Sequence, residues 1–579
     1  VIALAITLAY ANSLSGPFIF DDRGSVLDNH TIESLQDSAV WSAPTETPTA
    51  GRPLANLTFA LNFAVGGRDV VGYHVVNIAL HVACALLVLG LVTRATSDPA
   101  SGVAVALLWG LHPLNSEVVN YITQRTESLM ALCFLLTMYA SVRAVGRRHS
   151  GRWEAVAVLS CAAGMASKET MVVAPLVVLL YDRLVEFGSW SAAWRQRRRL
   201  YLGLASTWLL LAALVMTAPR TMSAGFTAHE ADVWTYLLNQ TRVITHYLRL
   251  AVWPDALAIY YGWPLPLSLG DVWPHALVVV ALLALTGVAC VRRPKTGFLL
   301  ACVLLTLAPT SSIIPITTEV GAERRMYLAL IALMTMVVLA WRHSRLQSMQ
   351  AVSIAGLVVV SAALAARTVD RNPDYRSALT LAETTLVAWP SPAAHSVLGT
   401  ELANAGRYVE AERHLREASR AFPPAQYYLA TVLDQQGQTE EAIMHFRAFI
   451  AGQPPGLDQV RLAHGLLANI YMRRQQWAEA TEQYRALLAA SPDDMQTLSM
   501  LANVLARQQI FPEAIKHYER YLRQAPQDTQ SLGGLAIALS SVGRLDEAIV
   551  LFQRVVALEP DNERARANLE RARSLRDIK

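Results

Sequence analysis

Charge is scarce in this chain: only 16% of its 579 residues are Asp, Glu, Lys or Arg, against about 25% in an average soluble domain. An ordinary soluble enzyme is thereby excluded, and with 53% hydrophobic residues part of the chain must lie in lipid. Cysteine is equally sparse. Cys84, Cys133, Cys161, Cys290 and Cys302 all fall inside apolar runs, so neither a disulfide framework nor a zinc site is expected. The net charge of +4 comes with arginines clustered beside apolar runs, where membrane orientation explains them, so no nucleic-acid partner is expected. No signal peptide is recognisable, and because the chain opens at Val1 inside an apolar run, its natural start is expected upstream.

What is present divides into two halves. Apolar runs near residues 1–15, 72–93, 100–114, 128–145, 153–166, 170–185, 200–217, 274–291, 296–312, 326–341 and 350–366 predict about eleven membrane helices, several shorter than the roughly 20 residues of a full span. Residues 234–253 are broken by Arg242, His246 and Arg249 and read as an interfacial helix. With that reading, Arg147/Arg148/Arg152, Arg195/Arg197/Arg198/Arg199, Arg292/Arg293/Lys295 and Arg342/Arg345 share one face, which the positive-inside rule makes cytoplasmic. The loop at Asp21/Asp22, the loops 218–273 and 313–325 and the C-terminal half then share the other face.

The second half repeats. Ala480, Ala514 and Ala548 stand 34 residues apart, followed at the same period by Tyr484, Tyr518 and Phe552 and by Pro492, Pro526 and Pro560; Ala468, Ala502 and Ala536 form another column. This is the tetratricopeptide period: small residues let paired helices approach, an aromatic fills the gap, and proline ends the second helix. Looser units begin at Gly406 and Gly437, the latter followed by a QPPGLD insertion. Five repeats and a polar terminal helix predict a capped superhelix whose concave side takes an extended peptide or helix. The expected fold is therefore all-α, with a membrane bundle over 1–369, a linker helix over 370–390 and a repeat domain over 391–579.

Polar groups retained among apolar helices are candidates for function, with interhelix bonding as the alternative. His74, Asn77 and His81 share one face of the second predicted helix; His112, Glu117, Arg125 and Glu127 lie around the next connection; Lys168 and Glu169 stand at a span end; Glu323, Arg324 and Arg325 stand just outside the tenth. The doublet Asp21/Asp22 in FIFDDRGSVLDN reads either as a turn or cap, or as a general base working opposite cations that stabilise a departing phosphate.

The order FIFDDRGSVLDN, RPLANLTFALNFAVGG, GYHVVNIALHV, LHPLNSEVVNYITQRTESL, ASKET, AERRMYLAL and then tetratricopeptide repeats resembles the transmembrane and tetratricopeptide-repeat-containing O-mannosyltransferases, of the C-type glycosyltransferase superfamily, and their bacterial relatives. The resemblance implies a site on the outer membrane face and a polyprenyl or dolichyl phosphate sugar, mannose being expected, as donor. It also implies inverting transfer to Ser or Thr of a protein recruited by the repeats. Asp21 is implied as base, with Asp22 orienting or binding; Arg324, Arg325, Lys168, Arg125, Glu323 and Arg52 are implied around the donor phosphate and sugar. The segment QRTESL departs from the family pattern at Arg125 and Glu127. No cofactor is required by this reading and no metal is assigned; whether a divalent ion takes part is left open by the superfamily. An Ala- and Arg-rich composition predicts a bacterial inner-membrane protein with periplasmic repeats, or a site in the endoplasmic reticulum lumen in a eukaryote. The rival readings are a transferase acting on a lipid or glycan, and a noncatalytic membrane scaffold that displays peptide-binding repeats.

Overall fold

The computed structural model describes all residues except 46, 147–149, 218–232, 263–264, 312–315, 317–318, 344–349, 455–456 and 579. Arg147, Arg148 and Arg345, and parts of the loops 218–273 and 313–325 and of the QPPGLD insertion, lie outside the described residues. Among the described residues the regular structure is helical, without strands, and it forms two compact units, Val1–Glu401 and Leu402–Lys579.

In the first unit, helices run in the order α1 (Ile2–Tyr10), α2 (Pro53–Gly66), α3 (Val70–Thr96), α4 (Pro99–Gly110), α5 (Ser116–Asn120), α6 (Arg125–Ala144), α7 (Ser150–Met165), α8 (Ala174–Tyr181), α9 (Trp190–Thr217), α10 (Val233–Val252), α11 (Leu269–Arg292), α12 (Pro294–Leu307), α13 (Met326–His343), α14 (Gln350–Arg371) and α15 (Ala378–Ala388). Among the described residues, six helical segments are long and apolar enough to cross a membrane: Val70–Thr96, Ile122–Ala144, Trp190–Thr217, Leu269–Arg292, Glu323–Arg342 and Val352–Arg376. The other five expected spans fall on shorter helices. Their ends carry the signals that such turns demand. Asp69 caps α3 by accepting from Val71 N, and Asp98 accepts from Ala100 N and Ser101 N before Pro99 opens α4.

Arg197 is 5% exposed, donates to both oxygens of Asp182 at 2.6 and 2.8 Å and to the Ser141 carbonyl at 2.6 Å, and interrupts the helical backbone of α9 with φ −130°. It acts as an internal tie, because a charge removed from water needs a bonded counter-charge.

The loop after α1, the connection between α4 and α6, α10 with the 253–262 segment, and residues 319–325 meet at one end of the bundle. Asp21 N donates to Tyr121 Oη, Arg324 N to Glu117, and Tyr247 Oη to the Ala322 carbonyl. Residues 370–390 join the same place: Leu381 and Tyr375 pack with Ile19, Tyr121 and Ile259, and Trp389 packs on His246 and Tyr261. The expected linker is thus a strap over this face.

The second unit is built from helical hairpins. After α16 (Pro392–Asn404), within which the unit boundary falls, come α17 (Tyr408–Ser419), α18 (Ala425–Gln435), α19 (Thr439–Gly452), α20 (Asp458–Arg473), α21 (Trp477–Ala490), α22 (Met495–Arg507), α23 (Phe511–Leu522), α24 (Thr529–Ser541), α25 (Leu545–Leu558) and the closing α26 (Glu563–Ile578). All six alanines of the two 34-residue columns are fully buried, and Tyr484, Tyr518 and Phe552 are buried beside them. The turn inside each hairpin needs a left-handed residue: Gly406, Gly437 and Gly543 take φ of 75°, 78° and 81°, whereas Gln475 and Gln509 adopt 58° and 63°. A side chain in this region costs roughly 1–2 kcal/mol, less the entropy that glycine forfeits. Gln509→Gly is therefore expected to stabilise the repeats by up to about 1 kcal/mol, read as a higher midpoint when the helical signal of the detergent-solubilised chain is melted.

Candidate active site on the membrane unit

The two adjacent aspartates have different fates. Asp22 is fully buried: Oδ1 accepts from Thr123 N at 2.7 Å and Thr123 Oγ1 at 2.6 Å, and Oδ2 accepts from Ile19 N at 3.0 Å. These bonds pin the first loop to the connection leading into α6. Between them Phe20 is forced to a positive φ of 42°, a conformation that a bulky residue holds only when its surroundings over-determine it. The consequence is the orientation of Asp21, an exposed residue next to the buried Asp22. Tyr121 Oη accepts from Asp21 N at 2.8 Å and lies beside the Asp21 carboxylate.

Arg324 supplies the strongest opposite charge near Asp21. Its main-chain N donates to Glu117 Oε2 at 2.8 Å and Nη1 to Glu117 Oε1 at 2.5 Å, while Nη1 also donates to Glu319 Oε1 at 3.2 Å and Nη2 pairs with Glu319 Oε2. Arg52 donates to Glu169 at 2.8 Å, and Lys168 to Glu127 at 2.6 Å. Arg52 also feels Asp21, and Lys168 feels both Arg52 and Arg324. Asp21, Arg52, Lys168 and Arg324 thus form one electrostatic neighbourhood, drawn from four separate stretches of sequence.

Neighbouring candidates point elsewhere. Arg325 donates to the carbonyls of Thr310, Val320 and Glu319, and Glu323, fully buried, accepts from Ala258 N at 2.5 Å and Tyr261 Oη at 3.2 Å. Both anchor the segment that presents Arg324. Arg125 lies fully buried under the ring of Phe59 and donates to Asn77 Oδ1 at 2.8 Å, Asn62 Oδ1 at 2.5 Å and the carbonyls of Thr58 and Tyr73. Asn77 is thereby engaged. A nitrogen facing a carbonyl must carry the proton, so His81 donates through Nε2 to the Gly110 carbonyl and accepts from Tyr327 Oη at Nδ1. By the same logic, His112 accepts from Leu114 N and donates to the Ala251 carbonyl, and His74 donates to the Gly16 carbonyl. The polar stripe ties helices and loops together, whereas Glu117 belongs with Arg324.

Burial raises the carboxyl pKa of Asp21, Asp22 and Glu117. Desolvation by the surrounding protein lifts Asp21 above the usual carboxylate range, a shift opposed by Arg324 and the Tyr121 hydroxyl and reinforced by Glu319. Asp22 is pushed to about 7, because burial outweighs the three donors that favour its charge. Glu117 is raised by burial against the pull of Arg324, and burial lowers Lys168 against the pull of Glu127. Among the described residues no three His, Cys, Asp or Glu side chains are grouped to hold a metal ion.

Sequence reasoning singled out Asp21, Arg324, Lys168, Arg52 and Glu117 but missed Tyr121, Thr123 and Glu319. Thr123 and Tyr121 lie within a quoted motif yet are not ionised at neutral pH, so a search for charge passes over them.

Comparison with known proteins finds similarity in both halves of the chain. Residues 47–222 match the family described as dolichyl-phosphate-mannose-protein mannosyltransferase, and residues 363–425, 396–456, 466–529 and 505–572 match tetratricopeptide repeats. Protein O-mannosyl-transferase Tmtc2 of Drosophila melanogaster is 29% identical over 281 residues, covering 45% of this chain and 30% of that protein. Tmtc1 of the same organism is 29% identical over 309 residues (48% and 36%), and human TMTC3 is 28% identical over 194 residues (32% and 21%). The matches span about a third or less of these relatives' own length. Among solved structures, a MamA protein is 16% identical with a TM-score of 0.26, covering 30% of this chain and 94% of its own, and YrrB, titled a tetratricopeptide protein with an unusual peptide-binding site, is 14% identical with a TM-score of 0.27, covering 30% and 90%.

The chain thus joins a stretch similar to a mannosyltransferase family to tetratricopeptide repeats. Among curated proteins its similarity is to protein O-mannosyl-transferases.

Asp22→Ala leaves the amides of Thr123 and Ile19 buried without an acceptor, at about 1–3 kcal/mol each, and is expected to lower the melting temperature more than Asp22→Asn, which keeps one acceptor. Because the folded pKa of Asp22, about 7, exceeds its unfolded value, its contribution to stability is full below about pH 4 and is lost as pH rises to about 7. Melts of wild type and Asp22→Asn across this window should show the difference shrinking as pH rises.

Proposed function

We propose that the chain is an integral membrane glycosyltransferase that moves a sugar, mannose, from a polyprenyl or dolichyl phosphate to a Ser or Thr hydroxyl of a protein. The observation that carries the reading is the exposed Asp21 carboxylate, fixed by the Asp22 clamp beside Arg324. In this reading Asp21 takes the proton of the acceptor hydroxyl as its oxygen attacks the anomeric carbon. The bond from that carbon to the phosphate oxygen breaks, and the electron pair leaves with the lipid phosphate. Arg324, helped by Lys168 and Arg52, stabilises the phosphate charge that grows in the transition state. One displacement on the face opposite the leaving group inverts the sugar carbon.

The repeats recruit the acceptor, their stacked hairpins offering the kind of groove that suits an extended polypeptide. The proposed location is an inner membrane with Asp21 and the repeats on the periplasmic side. Further support comes from the relatives the chain is similar to, which are protein O-mannosyl-transferases.

In an assay of purified protein with polyprenyl-phosphate mannose and a Ser/Thr peptide, Asp21→Asn is expected to cut transfer by about 10²–10⁴-fold without changing the melting temperature. A base must be ionised, and the Asp21 pKa is raised, so wild-type kcat/KM should fall on acidification at a pH above the ordinary carboxylate value of about 3.9. Near-normal transfer by Asp21→Asn removes the mechanism.

A further inference from the structure

The guanidinium that best serves a phosphate is already held on two sides. Glu117 grips Arg324 from below: it is fully buried, comes from the short helix α5, and bonds both the main-chain N and Nη1. Glu319 takes the remaining edge through both of its oxygens. The two carboxylates differ in freedom. Glu117 has a side-chain exposure of 0%, whereas those of Glu319 and Arg324 are 14% and 19%.

The backbone beneath Glu319 is fixed. Arg325 Nη2 donates to the Glu319 carbonyl at 2.8 Å, Arg325 Nη1 and Gln240 Nε2 donate to the Val320 carbonyl at 3.1 and 2.8 Å, and Val320 N donates to the Gly262 carbonyl at 2.8 Å. The side chain can therefore swing while its backbone stays in place.

A guanidinium presents its N–H groups as a planar fork that fits carboxylate and phosphate oxygens alike. Two carboxylates on one guanidinium leave an excess negative charge, and Asp21 adds to the same field. A phosphate approaching the Nη edge would meet repulsion until one carboxylate withdrew. Glu117 cannot withdraw without leaving Arg324 N unpaired; Glu319 can.

We propose that Glu319 is a built-in competitor for the donor phosphate, its carboxylate and the phosphate taking the same edge of Arg324 in turn. The inference rests on the donor reading above. It makes Glu319 a specificity-setting residue: only a ligand whose anion pairs with Arg324 better than a carboxylate does displaces it, which favours the phosphate of a lipid-linked sugar over weaker anions. Glu117 is the positioning residue that holds Arg324 in place through the exchange.

The test is binding of farnesyl phosphate, a short isoprenyl monophosphate, to the purified full-length protein, with KM for polyprenyl-phosphate mannose measured in parallel. Removing the competitor in Glu319→Gln, and independently in Glu319→Ala, is expected to tighten farnesyl phosphate binding and lower the donor KM by about tenfold. Glu117→Gln should weaken both. Unchanged or weaker binding in the two Glu319 variants overturns the proposal and leaves Glu319 as a brace for Arg324, a role that would also show as a lower melting temperature. If wild type binds farnesyl phosphate and the variants do not tighten it, only the role of Glu319 falls; if wild type does not bind it, the donor reading falls as well.

Discussion

A buried carboxylate bonded across a hundred residues of chain sets the geometry on which the candidate site depends. Asp22 joins Ile19 to Thr123, so the first loop and the entrance to α6 act as one rigid piece. Without this tie Phe20 would relax from its positive φ, and Asp21 would lose its fixed bearing on Tyr121 and Arg324. The adjacent acids divide the work. One is withdrawn from water to hold position, while its neighbour stays exposed. Residues 323–325 divide it similarly, Glu323 and Arg325 holding the backbone while Arg324 pairs with Glu117 and Glu319.

The surrounding charges also constrain one another. Arg52, Lys168 and Arg324 each have a carboxylate partner, Glu169, Glu127 and the Glu117/Glu319 pair. Such pairing makes partial burial of the cations tolerable, because an unpaired charge in this setting would carry the full desolvation penalty. It also keeps the neighbourhood of Asp21 from being simply electropositive. An anion must exchange for an existing partner, so binding depends on geometry more than on bulk attraction.

The repeats were the most legible part of the chain, because a 34-residue period places the same alanine, aromatic and proline in the same environment each time and needs no tertiary information. The helical membrane half was legible through its apolar runs, although short helices such as α4, α8 and α12 blur where one element ends. At the site, Asp21 stood out because two adjacent acids beside an apolar run are costly without a role. Arg125 was harder to place: its partners lie at positions 58, 62, 73 and 77, and only folding shows that these carbonyls and amides enclose the guanidinium. The pairing of Arg197 with Asp182 was out of reach for the same reason, being a contact between elements that charge counting along the chain does not see. Glu319 is one acidic residue in a loop and carries no pattern of its own.

The strap formed by residues 372–389 ties the last membrane helix to the neighbourhood of Asp21. Tyr375 and Leu381 share an apolar cluster with Ile19 and Tyr121, and Ile259 N donates to Thr385 Oγ1 at 3.3 Å. Tyr121 therefore touches the proposed base on one side and the route to the repeats on the other. Displacement of that strap would shift Ile19 and Tyr121 together, and with them the bearing of the Asp21 main chain.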